Sequence, residues 1–155
     1  MTHHARIVRQ ALDPAGLVAR VSRPANGAVL LFVGIVRDVN DGRGVTGIEY
    51  SAYEAMAVTE LAAIAAEGAG RFQADVAVEH RLGELALEEA SVAIAVGHPH
   101  RGEAYEASRW VIEELKRRVP IWKREQYVDG TREWVDPSGR PAASLAQAAG
   151  APASS

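Results

Sequence analysis

Residues 102–135 read GEAYEASRWVIEELKRRVPIWKREQYVDGTREWV, and this stretch decides the fold class. Ala104, Ser108, Val111, Ile112, Leu115 and Val119 recur at helical spacing, so 102–119 is an amphipathic helix, and Pro120 ends it. Ile121–Tyr127 and Thr131–Val135 flank Asp129-Gly130, the dipeptide of a tight hairpin. A helix running directly into an antiparallel hairpin points to α+β rather than a doubly wound parallel sheet.

Upstream segments agree with that class. Gly27–Arg37 (GAVLLFVGIVR) is nearly unbroken apolar sequence and reads as a strand covered on both faces. It empties into an Asp/Asn/Gly/Arg loop, 38–44, after which Val45–Ala52 reads as an antiparallel return strand. Ala5–Arg9 is a short strand, and Asp13-Pro14 reads as N-cap and first residue of a helix. Glu54–Gly68 has helical spacing, with Gly68 as its stop. Ala74–Leu82 and Ser91–Gly97 are strands. The second has Val92, Ile94 and Val96 on one face, and Ala93, Ala95 and Gly97 on the other, where a helix can pack closely. The expectation is a mixed, mainly antiparallel α+β fold with packed helices. One domain spans 1–136, and a Pro/Ala/Gly/Ser-rich tail, 137–155, is expected to be disordered.

Composition narrows the function. The chain has 155 residues, a formal net charge of −3 and no cysteine. There is no basic footprint for nucleic acid, no apolar run long enough for a membrane span, and no thiol for disulfide, persulfide or thiolate–metal chemistry. A cytoplasmic protein is expected. Of the 17 basic residues fifteen are arginines, and the two lysines, Lys116 and Lys123, sit close together at the helix–hairpin junction.

Lys116 lies about 40° from Ile112 on the helical wheel, at the margin of the buried stripe. Alternation places Lys123 on the strand face of Ile121, Glu125 and Tyr127. A partly desolvated lysine beside other cations loses affinity for its proton, which makes it a usable base or nucleophile; arginine cannot do this. Two lysines snorkelling from a solvated helix end and an edge strand would look the same.

A second cluster, His98-Pro99-His100-Arg101-Gly102-Glu103, stands at a helix start and suits either an anion or plain helix capping. His80, His98 and His100 also admit a metal-dependent hydrolase, though their spacing fixes no third ligand. Gly34-Ile35-Val36-Arg37 carries an arginine out of a core strand into a loop. Together Arg37, His100, Arg101, Lys116, Lys123 and Arg124 compose an anion-binding pocket with two candidate acid–base amines.

Five of these segments carry a resemblance: GAVLLFVGIVRDVN (27–40), HRLGEL (80–85), HPHRGEAYEA (98–107), EELKRRVPIWKRE (113–125) and the closing EWV (133–135). They resemble the large, catalytic subunit of molybdopterin synthase over Gly27–Val135, most specifically in K-x-x-x-P-x-W-K-R-E at 116–125. The resemblance implies an α/β hammerhead fold and a sulfurtransferase without a cofactor or metal of its own. A small ubiquitin-like subunit, thiocarboxylated at its C-terminal glycine, donates sulfur to cyclic pyranopterin monophosphate, and two rounds build the dithiolene of molybdopterin. It also implies a heterotetramer built on a homodimer of large subunits.

By position, Lys116 and Lys123 correspond to the catalytic lysines. Ile35, Val36, Arg37, His100, Arg101, Lys116, Lys123, Arg124 and Glu125 correspond to substrate-binding positions, with Glu125 orienting a lysine or a pterin N–H. The loop 38–46, the segment 50–56 and the tail depart from the family pattern. A homologue that binds the small subunit or a phosphorylated ligand without turnover is the competing reading.

Overall fold

Hydrophobic residues of this chain alternate or recur at helical spacing in turn, and each pattern becomes an element. The computed structural model describes residues 1–135; the tail expected to be disordered lies outside the described residues. The element order is β1 (His3–Val8), α1 (Pro14–Val21), β2 (Ala28–Ile35), β3 (Val39–Asn40), β4 (Arg43–Ala52), α2 (Glu54–Phe72), β5 (Asp75–Arg81), β6 (Gly83–Ala86), β7 (Ala90–His98), α3 (Arg101–Arg118), β8 (Ile121–Tyr127) and β9 (Arg132–Val135). The strands form two sheets in the mixed, mainly antiparallel α+β arrangement expected. One runs β1-β5-β7-β2, the other β3-β4-β8-β9 with β6 also paired to β4. In the first sheet only β1 and β5 are parallel. Among the described residues no helix is long and apolar enough to cross a membrane.

The period-2 alternation of β7 explains how the helices are placed. Val92, Ile94 and Val96 face α2 and α3 in the main core, together with Leu61, Ile64 and Val111. Ala93 and Ala95 face the opposite way and receive Leu17 and Val21 of α1. The small face therefore does admit a helix, which Asp13 caps through its side chain and Pro14 opens. The approach is closest at Gly97, where an added Cβ would stand 2.3 Å from the Val21 carbonyl oxygen and 2.5 Å from Asn26 Nδ2. The first is backbone, so α1 has to move. Gly97→Ala is expected to cost about 1–3 kcal/mol, read as a lower denaturation midpoint at unchanged m-value.

Two expectations about the segments flanking β2 need correction. This strand is not covered on both faces: it ends the sheet, and Val29, Leu31, Phe32 and Ile35 are 38–56% exposed. An unbroken apolar run shows that both faces are apolar, but not that helices reach both. β4 does not return along β2. The loop closes into a hairpin between β3 and β4, with Asp41 and Gly42 both at positive φ, and this sends β4 into the second sheet against β8.

The helix expected to stop at Gly68 continues to Phe72, and left-handed Gln73 caps it. Gly68 is instead a contact point. A Cβ there would meet Val111 Cγ2 at 3.2 Å and Trp110 Cζ3 at 3.3 Å, so the missing side chain lets α2 and α3 approach.

Asp75 fastens the far end of the first sheet. It is buried, and its carboxylate accepts from Thr2 N at 2.6 Å, Arg23 Nη1 at 2.7 Å and Asn26 Nδ2 at 2.7 Å. Burial alone would raise its pKa, but the Asn26, Thr2 and Arg23 donors outweigh that and hold the carboxyl below the usual range. A depressed carboxyl stabilises the fold above its unfolded pKa of about 3.9. That contribution disappears as pH falls through the lower folded value. The acid-side slope of an unfolding titration is therefore expected to flatten in Asp75→Asn.

Candidate active site

Pro120 ends α3 and turns the chain straight into β8, which brings the two lysines to the same place. Lys116 lies in the last turn of α3, and Lys123 is the third residue of β8. The β4–β8 register pairs Tyr50 with Lys123, so these side chains are cross-strand neighbours on the inner face of the second sheet. β5 and β7 supply His80 and Ser91. These groups, with Ile112, Leu115 and Ile121, line a cavity of about 50 Å³.

The walls of this cavity are electrostatically arranged. Burial, and then the neighbouring Lys123 charge, push the Lys116 ammonium below the ordinary lysine range, although Lys116 keeps an exposed flank at the mouth. Burial pushes the His80 imidazole down to about 4, with the Lys116 charge adding to it and the Arg81 carbonyl opposing. His80 is therefore neutral at physiological pH; its Nδ1–H donates to the Arg81 carbonyl oxygen at 2.9 Å, which leaves Nε2 as an acceptor. Tyr50 packs edge-on to the His80 ring, 5.2 Å between centroids. Burial raises its pKa, the Ser91 hydrogen bond opposes this and the Glu125 charge adds to it.

Lys123 Nζ lies 3.2 Å from Glu125 Oε1. Glu125 is only 1% exposed, a carboxylate in the core of the second sheet. The same Oε1 accepts from Asn40 Nδ2 at 2.7 Å, and Arg37 Nη2 donates to Asn40 Oδ1 at 3.2 Å. Arg37 is thus joined to the lysine site through Asn40. Val36 before it is buried and exchanges backbone hydrogen bonds with Glu88 and Glu89, while Ile35 is exposed at the end of β2.

Other predicted site residues stand elsewhere. Strand alternation turns Arg124 to the face opposite Lys123, where it pairs with Glu49 at 2.6 Å and lies 5.2 Å from the centre of the Trp134 ring. His100 and Arg101 sit at the start of α3, exposed beside a separate cleft with Gly27, Ala28 and Gly102. Lys116 is at the other end of the same helix, about 22 Å away at 1.5 Å per residue. One chain therefore does not gather all six of these residues in a single pocket; a helix holds its ends apart.

His80 and His98 are likewise separated. His80 pairs with Val92, and His98 lies about 20 Å further along β7. His98 Nδ1 accepts from the His100 backbone N–H at 2.9 Å. Among the described residues no group of three or more His, Cys, Asp or Glu could hold a metal ion.

Tyr50, Ser91 and Asn40 escaped the sequence reading, as did the place of His80 in the cavity wall. Their only signal was the cross-strand register, which one sequence does not display.

Comparison with known proteins identifies the family and the fold. Residues 7–118 match the family model described as "MoaE protein". The chain is 42% identical over 132 residues to the molybdopterin synthase catalytic subunit of Emericella nidulans, covering 84% of this chain and 68% of that one. The molybdopterin synthase structure from Staphylococcus aureus superposes with a TM-score of 0.78 at 35% identity, over 83% of this chain and 93% of that one. A complex of subunits 1 and 2 of molybdopterin-converting factor from Helicobacter pylori contains a chain that matches with a TM-score of 0.70 at 25% identity, over 88% of this chain and 93% of that one. With the lysine cavity carried by the same fold, the chain belongs to the MoaE family, the catalytic subunits of molybdopterin synthase.

Proposed function

We propose that this chain transfers sulfur, in two rounds, from the thiocarboxylated C-terminal glycine of a small ubiquitin-like subunit to cyclic pyranopterin monophosphate, forming the dithiolene of molybdopterin; in each round the partner's acyl–sulfur bond breaks and water returns its terminus as a carboxylate. The observation that carries the reading is the position of the chain's only two lysines on one small cavity. A cavity of that size suits the end of an extended chain, in the manner of terminal-peptide capture, and leaves the larger fused pyranopterin at its mouth. Lys116, whose proton is held loosely, exchanges protons at the sulfur-donating carbonyl and the pterin side chain. Lys123, placed by Glu125, balances negative charge as it develops there. No thiol is required of this chain, because the partner brings the sulfur. The Helicobacter pylori complex of two converting-factor subunits supports a small-subunit partner.

A homodimer accounts for the cations that one protomer leaves apart. The exposed edge of β2 and the adjoining face of α3, with Leu31, Phe32 and Tyr105, lie between the His100–Arg101 end and the Lys116 end. Two-fold packing through this apolar face sets α3 against its copy in the opposite sense. The His100 and Arg101 of one protomer then approach the lysines of the other, where they hold the cyclic phosphate.

The direct test is a single-turnover assay with thiocarboxylated small subunit and cyclic pyranopterin monophosphate. Dithiolene formation is expected. A wild-type chain that binds a competent partner but forms no product would overturn the reading in favour of a non-catalytic binder.

A further inference from the structure

We propose that Asn40 is a positioning residue of this site: it ties Arg37 to Glu125 and, through Glu125, sets the place of Lys123. For its kinetic consequence the inference rests on the sulfur-transfer reading; its geometry does not. The β3–β4 hairpin carries Asn40 to the end of the second sheet, and its amide reaches β8 across 85 positions of sequence. There the amide has one workable orientation. Arg37 can only donate and ionised Glu125 can only accept, so Oδ1 must face the guanidinium and Nδ2 the carboxylate.

The carboxylate depends on this contact. Glu125 is 1% exposed, its Oε1 receives both Asn40 and Lys123, and its Oε2 has no hydrogen-bond partner among the described residues. A buried carboxylate that loses the Asn40 donor, with Lys123 and the Tyr127 hydroxyl left beside it, turns to improve what remains. The ammonium held by Oε1 moves with it. Aspartate at position 40 would still accept from Arg37, but it would replace a donor to Glu125 with a second carboxylate that repels it. An amide is the one neutral side chain of this length that satisfies both neighbours at once.

The two-lysine composition makes the test unusually clean. Protein labelled at lysine has two side-chain amine signals by NMR, and Lys123→Arg assigns them. In Asn40→Ala the Lys123 signal is expected to move, and the Lys116 signal, which feels the Lys123 charge only through space, to move less. With thiocarboxylated partner and cyclic pyranopterin monophosphate, kcat falls about tenfold to a hundredfold, the scale of a small misplacement of a reacting group. KM changes less than kcat, and the thermal midpoint falls, because a buried carboxylate loses a donor; the kinetics are read well below it. Asn40→Asp is expected to lose more activity than Asn40→Ala, and it supplies a second test if the alanine variant folds poorly. A Lys123 signal identical to wild type in both variants, or full kcat in Asn40→Ala, overturns the proposal. Should wild type itself make no dithiolene, the sulfur-transfer reading fails, and the Lys123 signal still decides whether Asn40 positions the lysine.

Discussion

Lys116→Arg is expected to lower the single-turnover rate of dithiolene formation by about 10²–10⁴-fold, the range supplied by a positioned acid–base group. Arginine keeps the charge and at least the reach of lysine, so attraction for an anionic substrate survives and KM changes little. What is lost is titration. The Lys116 ammonium lies against the cavity wall and beside Lys123, and both circumstances loosen its proton; a guanidinium stays protonated in the same surroundings. A rate loss confined to kcat therefore separates proton exchange from charge. Equal activity in wild type and variant would remove Lys116 from the chemistry and move the role to Lys123.

The second large effect concerns how the cations meet. Lys116→Ala and Arg101→Ala are each expected to be inactive or nearly so as pure dimers. When the two variants are co-refolded in equal amounts, about a quarter of wild-type activity is expected to return, because half of the dimers are then mixed and each of those has one intact site. The intact site takes Lys116 from the Arg101→Ala protomer and Arg101 from the Lys116→Ala protomer. Sites complete within one protomer predict no recovery at all. The contrast follows from α3 being one helix with its N-terminal cations about 22 Å from Lys116, and from the exposed Leu31, Phe32 and Tyr105 face that lies between.

Much of the lysine site was legible in local patterns. The 3.6-residue spacing of 104–119, the break at Pro120 and the hairpin at Asp129-Gly130 place Lys116 and Lys123 on either side of one turn, as the structure has them. Strand alternation placed Lys123 with Ile121, Glu125 and Tyr127 and, by the same rule, sends Arg124 to the other face. Grouping Arg124 with the pocket cations rested on nearness in sequence. Period 2 overrules nearness in a strand, because successive side chains point to opposite sides of the sheet.

Composition and local periodicity by themselves determined an α+β chain without thiols, with its only lysines beside a helix break and a small-residue face on β7 that receives α1. They determined this because capping, proline breaks and hydrophobic period act over a few residues. Tertiary structure alone decided the exposed edge position of β2, the passage of β4 into the second sheet and the role of Gly68 as a helix contact. It also decided the meeting of Tyr50, His80 and Ser91 around Lys123, and the tie from Asn40 to Glu125. Each of these depends on which strand pairs with which, across separations as long as 85 positions. Pairing is settled by how the helices share out the apolar faces they must cover, a choice made by the whole core rather than by any segment within it.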